Sequence, residues 1–201
     1  MTQTRNYLAV DLGAESGRTI LGSFDGDQLK LAETHRFSNG PVRIHDSIHW
    51  DVLRLWSEIK AGIAATVRRD AQIDGVGLDT WGVDFALLDQ NHSLLSNPYH
   101  YRDARTDGML DEAFRRMPRA EIFANTGIQF MQINTLYQLL AMSVHRSPLF
   151  DVAKSFVTIS DVLNLWLSGE ISNEFTNATT TQCLDPRTRE WATCVLDAIE
   201  I

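Results

Sequence analysis

Two cysteines, five prolines and no long apolar run leave several architectures out of reach of this 201-residue sequence. Cys183 and Cys194 lack metal-type spacing and need not pair, so neither a zinc site nor a disulfide scaffold is indicated. No apolar stretch approaches the roughly 18 residues that a membrane-spanning helix requires. Met1 to Asp11 lacks the apolar core and cleavage site of a secretory signal. Positive charge is also scarce. The 18 Lys and Arg residues face 26 Asp and Glu, giving a net charge of −8 and a pI near 5.1. Nucleic-acid binders usually carry a basic face, so that class is disfavoured. No internal repeat, linker or low-complexity tract interrupts the chain. The expectation is a protein of the reducing cytoplasm with no membrane or nucleic-acid partner.

What remains is ordinary globular material, 44% hydrophobic and 22% charged. A chain of this length buries roughly 70% of its unfolded surface, enough for a core without staples. Apolar runs predict strands at Tyr7–Asp11 and Arg18–Phe24, with a hairpin signal at Asp25-Gly26-Asp27. Leu29–Phe37 alternates, with Leu29, Leu31, Glu33 and His35 on one side. A polar connection from Pro41 ends near Ile48 and Trp50. Asp51 reads as the N-cap of an amphipathic helix with Val52, Leu55, Trp56, Ile59, Ile63 and Val67 inward. Arg54, Glu58, Lys60 and Arg68 form its outer face, and Asp74-Gly75 ends it. Val76–Thr80 and Phe85–Leu88 are further strands, the former the buried fourth strand of the sheet. Helices follow at Asp107–Met117, at Arg119–Asn125 closed by Gly127, and at Leu136–His145 behind Asn134. Val157–Ile159 reads as a strand, Ser160 as the cap of Val162–Leu167, and Arg187–Ile199 as a final helix. Hairpin-linked strands with a helix crossing to a fourth strand make an α/β domain.

The densest chemistry lies at Asp11-Leu12-Gly13-Ala14-Glu15-Ser16-Gly17-Arg18. A Gly-rich turn after a strand can aim backbone N–H groups at a phosphate oxygen. Gly13 and Gly17 would permit positive φ and close approach. Asp11 could hold a hydrated Mg²⁺, which takes one or two carboxylates plus phosphate oxygens. Ser16 adds a donor and Arg18 a positive charge. The plain alternative is a polar hairpin turn without a ligand. The turn joins strand to strand, which argues against both dinucleotide-binding and Walker-type loops. His45 and His49 stand four apart beside a loop with no third ligand, too few for a metal site.

Together these motifs resemble a family. The Asp11–Arg18 segment resembles the first phosphate motif of the FGGY carbohydrate kinases, which belong to the actin-like ATPase superfamily. Asp79-Thr80-Trp81-Gly82-Val83-Asp84-Phe85 is similar to the sugar-binding segment of members that act on L-rhamnulose. Tyr101-Arg102-Asp103-Ala104-Arg105-Thr106 resembles the Arg-Asp-x-Arg-Thr element that follows it. Gly127-Ile128-Gln129-Phe130, Asn134–Leu139 and Asn177–Gln182 match further family segments in the expected order.

The resemblance implies a ribonuclease H-like, actin-like ATPase domain: a mixed sheet opened by a three-strand antiparallel meander and flanked by helices. It implies ATP and Mg²⁺ as cofactors and phosphoryl transfer to a ketose, L-rhamnulose first, with L-fuculose and D-xylulose as alternatives. Asp11 would hold the metal, and Gly13, Ala14, Glu15, Ser16, Gly17 and Arg18 would face the phosphates, Glu15 pointing outward. Trp81 would stack on the sugar, with Gly82, Asp84, Arg102, Gln129 and Phe130 as further contacts. Trp81 could equally be a buried turn residue, Arg102 and Asp103 a surface ion pair, and Phe130 core. The family's general-base Asp sits in a His-Asp-Thr motif that this sequence lacks. The expectation is therefore an N-terminal lobe over 1–201 without the C-terminal nucleotide lobe, inactive by itself. Competing readings are a non-catalytic sugar-binding module and a subunit completed by a separate C-terminal lobe.

Overall fold

A residue period of two builds the first third of the chain, because alternate side chains of a strand face opposite sides of a sheet. The computed structural model describes residues 3–69 and 72–201. The first strands are β1 (Arg5–Leu12), β2 (Ser16–Phe24) and β3 (Leu29–Ser38). Next come β4 (Pro41–Ile44), β5 (Ser47–Trp50), α1 (Val52–Val67), β6 (Gly75–Asp79) and β7 (Phe85–Leu88). A 3-10 turn at Ala104–Thr106 precedes α2 (Met109–Arg116), α3 (Arg119–Thr126), α4 (Thr135–Val144) and α5 (Leu149–Val152). The chain continues through β8 (Ser155–Thr158), α6 (Ile159–Ser168) and α7 (Phe175–Thr179). It closes with β9 (Leu184–Asp185), β10 (Glu190–Trp191) and α8 (Thr193–Ala198). Two units divide these elements. The first runs to Pro41 and resumes over Asp51–Trp81; the second takes Val42–Trp50 and Gly82–Ile201.

The first unit is a four-stranded sheet in the order β3-β2-β1-β6. β1 and β2 pair antiparallel from Arg5↔Phe24 to Leu12↔Gly17, and β3 continues the meander along β2. β6 pairs parallel with β1, setting Asp11 opposite Asp79. Leu8, Val10 and Leu12 turn one face of β1 inward. There α1 packs, burying Val52, Leu55, Ile59, Gly62 and Thr66. The Asp51 carboxylate caps α1 by accepting from Arg54 N. Gly62 is required by contact: a Cβ there would stand 2.4 Å from Thr19 Cγ2. Thr19 is itself locked, its hydroxyl 2.7 Å from that of Thr34, to which the Thr66 hydroxyl donates at 2.9 Å.

Leu29 and Leu31 lie on an exposed side of β3, at 58% and 67% exposure. Val67, expected to face inward from α1, instead faces solvent at 54%. β6, expected as a buried strand, is half open, with Val76 at 49% exposure. Apolar identity alone does not say which face a neighbouring layer covers.

The second unit centres on α4, whose Leu136, Tyr137, Leu139, Leu140 and Met142 pack with Phe85, Leu87, Ile122, Cys183 and Val195. β7 pairs antiparallel with β8 in a two-stranded sheet. Pro41–Trp50, expected as a polar connection, holds the β4–β5 pair. Trp50 N donates to Pro98 O, and His100 N to Ile48 O, tying β5 to the segment around His100.

Three helix termini also differ from the sequence reading. Asn134 precedes α4, but its side chain donates to Gln129 O and Gln182 Oε1 instead of capping. α6 starts earlier, with Thr158 as N-cap; Ser160 is inside, and Asp161 Oδ2 accepts from the Thr158 hydroxyl. The expected helix over Arg187–Ile199 is instead the β9–β10 hairpin followed by short α8. Asp185 decides this, because its carboxylate accepts from Arg187 N, Nε and Nη2, and Arg189 turns at φ +64°. Asn177–Thr181 is largely α7, capped by Glu174 through Thr176 N and Asn177 N. Among the described residues no helix is long and apolar enough to cross a membrane.

Candidate functional site

The Asp11–Arg18 motif lies wholly in the first unit, whereas the Asp79–Phe85 segment runs from the first into the second. In the first unit, β1 ends in the turn Gly13–Ser16, closed by Gly13 N donating to Ser16 O at 2.8 Å. Asn39 pins it from β3's end: its Nδ2 donates to Gly13 O and its N to Glu15 O. Neither Gly13 nor Gly17 has a positive φ, which corrects the conformational reason expected for them. The contact reason holds at Gly17 but for packing, since a Cβ there would lie 2.3 Å from Phe37 Cζ and 2.8 Å from Leu12 Cδ2. The Gly13 N–H is spent on the turn itself. Those of Ala14 and Glu15, at its tip, donate to no acceptor among the described residues, and the Glu15 side chain is exposed.

Asp11 on β1 pairs with Arg18 on β2, whose Nε and Nη2 each reach Asp11 Oδ2 at 2.8 Å. The Asp11 side chain is 36% exposed and its Oδ1 accepts no hydrogen bond among the described residues, so the donor set fits one hydrated divalent cation and not a closed all-protein cage. Among the described residues no group of three or more His, Cys, Asp or Glu is placed to hold a metal. Asp79, opposite Asp11, has its carboxyl raised above the ordinary range by burial first and by the Asp11 charge second.

The sugar-segment residues fall at the seam of the sequence: Trp81 is the last residue of the first unit and Gly82 the first of the second. Gly82-Val83-Asp84 is a γ-turn, with Asp84 N donating to Gly82 O at 2.9 Å and Val83 at φ +67°. The positive-φ γ-turn is the rare, strained form, and a β-branched residue seldom adopts it. The turn is clamped. Val83 O accepts from the Thr135 hydroxyl at 2.6 Å and from Gln138 Nε2 at 3.2 Å. Gly82 lies against α7, where a Cβ would meet Thr180 Oγ1 at 3.0 Å.

Asp84 is 1% exposed. Its Oδ2 accepts from Trp50 Nε1 at 2.5 Å and from Tyr101 N at 3.3 Å, and its Oδ1 from Gln138 Nε2 at 2.9 Å. Three donors thus already meet a carboxylate that can accept about four. The His100 ring packs against Trp50, tilted by 30° with the ring centroids 4.2 Å apart. His100 accepts Arg102 N–H at Nδ1, and burial, aided by the Arg102 charge, lowers its pKa to about 4.

The remaining candidates separate. Arg102 is exposed, its guanidinium over the Tyr101 ring at 5.3 Å, and makes no ion pair with Asp103. Asp103 is buried, accepting from Ile48 N at 2.6 Å and from Arg105 N at 2.9 Å. The surface-pair alternative for Arg102 and Asp103 is thus excluded. Gln129 is exposed. Phe130 meets Phe114 edge-on at 5.2 Å and Arg119 at 4.7 Å, which is the core alternative. His49, considered for a metal, instead stacks on Tyr99 at 4.3 Å.

Trp50 lay outside the matched segments, and Arg105, Thr135 and Gln138 lay inside them without a role assigned from the sequence. Their signal was faint: Gln138 is a polar residue flanked by Tyr137, Leu139 and Leu140 on a helix that is otherwise core. A cavity of about 700 Å³ in the second unit, walled by Leu87, Leu139, Phe156, Cys183 and Trp191, includes none of the candidate residues.

Residues 6–201 match the family model described as "FGGY family of carbohydrate kinases, N-terminal domain". The chain belongs to that family. Its sequence is 44% identical over 184 residues to a rhamnulokinase of Oceanobacillus iheyensis, covering 92% of this chain and 39% of the relative. A rhamnulokinase of Bacteroides thetaiotaomicron is 38% identical across 97% of this chain and 40% of its own length. The chain thus spans about two-fifths of these curated relatives. The gluconate kinase of Lactobacillus acidophilus superposes on 99% of this FGGY chain with a TM-score of 0.87 at 18% identity, covering 40% of that kinase. The glycerol kinase of Plasmodium falciparum, solved with ADP, gives 0.82 at 16% identity over 98% of this chain and 41% of its own. These two establish the actin-like ATPase fold, as the strand order and meander imply.

Proposed function

We propose that this FGGY chain carries the ketose-facing and first phosphate-facing residues of a rhamnulokinase, a cytoplasmic enzyme that moves the ATP γ-phosphoryl group to the primary hydroxyl of L-rhamnulose. One observation carries the reading: curated rhamnulokinases are 38–44% identical to this chain across 92–97% of it. The first alternatives remain L-fuculose and D-xylulose as sister ketose substrates. The assignment of residues 1–201 to the N-terminal domain of such a kinase belongs to the same proposal.

In this reading the tip N–H groups of Ala14 and Glu15, with Ser16 and Arg18, receive phosphate oxygens. Gly13 and Gly17 keep the turn in shape, and Asp11 takes a hydrated cation at its solvent-facing oxygen. Mg²⁺-ATP, when bound, supplies the transferable phosphoryl group and neutralises its charge. Asp84 accepts a ketose hydroxyl, Gly82 and Trp81 line the sugar, and Arg102 and Gln129 act as exposed polar contacts. Phe130 contributes only through packing. Hydroxyl recognition by a buried acceptor discriminates strongly, because an analogue lacking the hydroxyl leaves that acceptor unpaired.

The test is calorimetric binding of L-rhamnulose, L-fuculose and D-xylulose to the purified chain. Alongside it, ATP-dependent phosphorylation is assayed with and without the part of the Oceanobacillus iheyensis rhamnulokinase lying C-terminal to the matched region. The expected result is L-rhamnulose preference and turnover only in the mixture. Turnover by the chain alone would place the base within these residues. Absence of binding and of turnover in both would overturn the kinase reading in favour of a non-catalytic remnant.

A further inference from the structure

Arg105 is the most enclosed cation of the second unit, its side chain 12% exposed. It spends its fork on one residue: Nη1 donates to Gln138 O at 3.1 Å and Nη2 to Gln138 Oε1 at 2.8 Å. Its guanidinium lies over the Tyr99 ring at 4.0 Å. Its Nε stands 4.0 Å from Asp103 Oδ1 without a hydrogen bond. Two buried carboxylates, Asp103 and Asp84, offset part of the cost of burying this charge, yet the desolvation still draws its pKa down to about 10.

The consequence falls on Gln138. A guanidinium only donates, so the amide oxygen must face Arg105 and the amide nitrogen must face away. There Nε2 meets three acceptors: Asp84 Oδ1 at 2.9 Å, Ile133 O at 3.0 Å and Val83 O at 3.2 Å. A flipped amide would set oxygen against those acceptors and NH₂ against the guanidinium. Only one orientation is allowed, and it is the one that braces both the Asp84 carboxylate and the strained Val83 carbonyl.

We propose that Arg105 is a positioning residue, acting through Gln138 to hold the Asp84 carboxylate and the Gly82–Asp84 γ-turn in the geometry that receives the sugar. The proposal rests on the reading of Asp84 as a ketose contact. Arg105 itself touches no substrate. Lysine would keep the charge but not the planar fork, so the paired donors that fix the Gln138 amide oxygen and backbone carbonyl together would be lost.

The experiment is a double-mutant cycle on the full chain, Arg105→Lys and Gln138→Met singly and together. It reads L-rhamnulose affinity by calorimetry and the Gln138 side-chain NH₂ and Trp50 indole N–H signals by NMR. Val195→Ala, on the buried side of α8, is the stability control, expected to lower the melting temperature and leave affinity unchanged. Each single variant is expected to weaken affinity roughly tenfold or more, comparable to losing one hydrogen bond to a charged group. The double variant is expected to be no weaker than the worse single, the non-additivity of groups acting in series. In Arg105→Lys the Gln138 NH₂ and Trp50 N–H signals should both move from their wild-type positions.

Additive losses, or an Arg105→Lys chain with unchanged signals, would overturn the proposal. If the wild-type chain binds no ketose, the reading of Asp84 as a sugar contact fails. The NMR comparison then still decides whether Arg105 orients Gln138 and Asp84. If Arg105→Lys does not fold, the Gln138→Met signals at Trp50 take its place: movement supports the chain of contacts, and none overturns it.

Discussion

Replacing Asp84 with asparagine is the sharpest perturbation of the second unit, because it changes one atom's donor character and almost no volume. Asp84 accepts from Trp50, Tyr101 and Gln138 and lies 1% exposed. Asparagine must offer its oxygen to one side and its NH₂ to the other. The favourable choice keeps oxygen toward Trp50 and Tyr101, leaving two amide donors, the introduced NH₂ and Gln138 Nε2, facing each other. Gln138 cannot relieve this by flipping, since Arg105 holds its oxygen at 2.8 Å. Losing a charge-assisted bond costs about 1.5–3 kcal/mol, and a buried unsatisfied donor about 1–3 kcal/mol. Against this, a neutral amide avoids part of the penalty of burying a carboxylate.

The balance is a net loss of about 2–4 kcal/mol, a large share of the roughly 5–15 kcal/mol that holds a typical protein together. For a chain of this size the melting temperature falls about 2–4 °C for each kcal/mol. Urea denaturation followed by circular dichroism reads the loss. Trp50→Phe should cost less, because Asp84 keeps two donors, and the effect of combining it with Asp84→Asn should be less than additive. An Asp84→Asn chain within about 0.5 kcal/mol of wild type, the range of ordinary surface changes, would refute the account of Asp84 as the node of this network.

Gly62→Ala should destabilise, although alanine is the better helix former by about 1 kcal/mol, because overpacking against the locked Thr19 costs about 1–3 kcal/mol and breaks its hydroxyl chain; thermal unfolding checks the sign, and Thr19→Ser should rescue part of it. Gly17→Ala should lower stability by about 1–3 kcal/mol through its clash with Phe37, and Phe37→Leu in the same chain should recover some of the loss; an unchanged melting temperature would refute the contact. His100 is neutral when folded and its pKa is lowered to about 4 from 6.5, so the unfolded chain binds the extra proton first. Its contribution to stability is therefore intact above pH 6.5 and lost as pH falls through that window toward about 4, by at most about 3 kcal/mol. His100→Gln should flatten the pH dependence of urea unfolding over that window, and an unchanged slope would exclude the residue as its source.

Residues that speak through their immediate neighbours were legible in the sequence. The meander, the cap at Asp51 and the Pro118 break between helices follow from period and local hydrogen bonding, and each is where the sequence puts it. Failures came where a distant partner decides. Arg187–Ile199 reads as helical until the Asp185 carboxylate gathers Arg187 into a turn. Asn134 has the right position for a cap, yet its amide is drawn to Gln182, 48 residues away. Glycines gave the most instructive split. Gly13 and Gly17 suggested backbone freedom, whereas Gly17 and Gly62 are required by what would strike a Cβ, a fact held in Phe37 and Thr19 and not in the glycines' own surroundings.

The same logic explains why the Trp81–Asp84 segment was visible and the arrangement of its support was not. Trp81–Asp84 is contiguous, so it can be matched as a string. Its brace comes from β5, the 3-10 turn and α4, through one indole, one guanidinium and one amide. Each is an ordinary residue type with a common structural use. Their joint arrangement is informative because a positive-φ valine costs on the order of 1–3 kcal/mol and persists only where the surroundings over-determine it. Thr135 and Gln138 at its carbonyl, with α7 against Gly82, supply that over-determination. A carboxylate fixed by three elements far apart in the sequence owes its position to long-range contacts, and no contiguous string of residues carries that information.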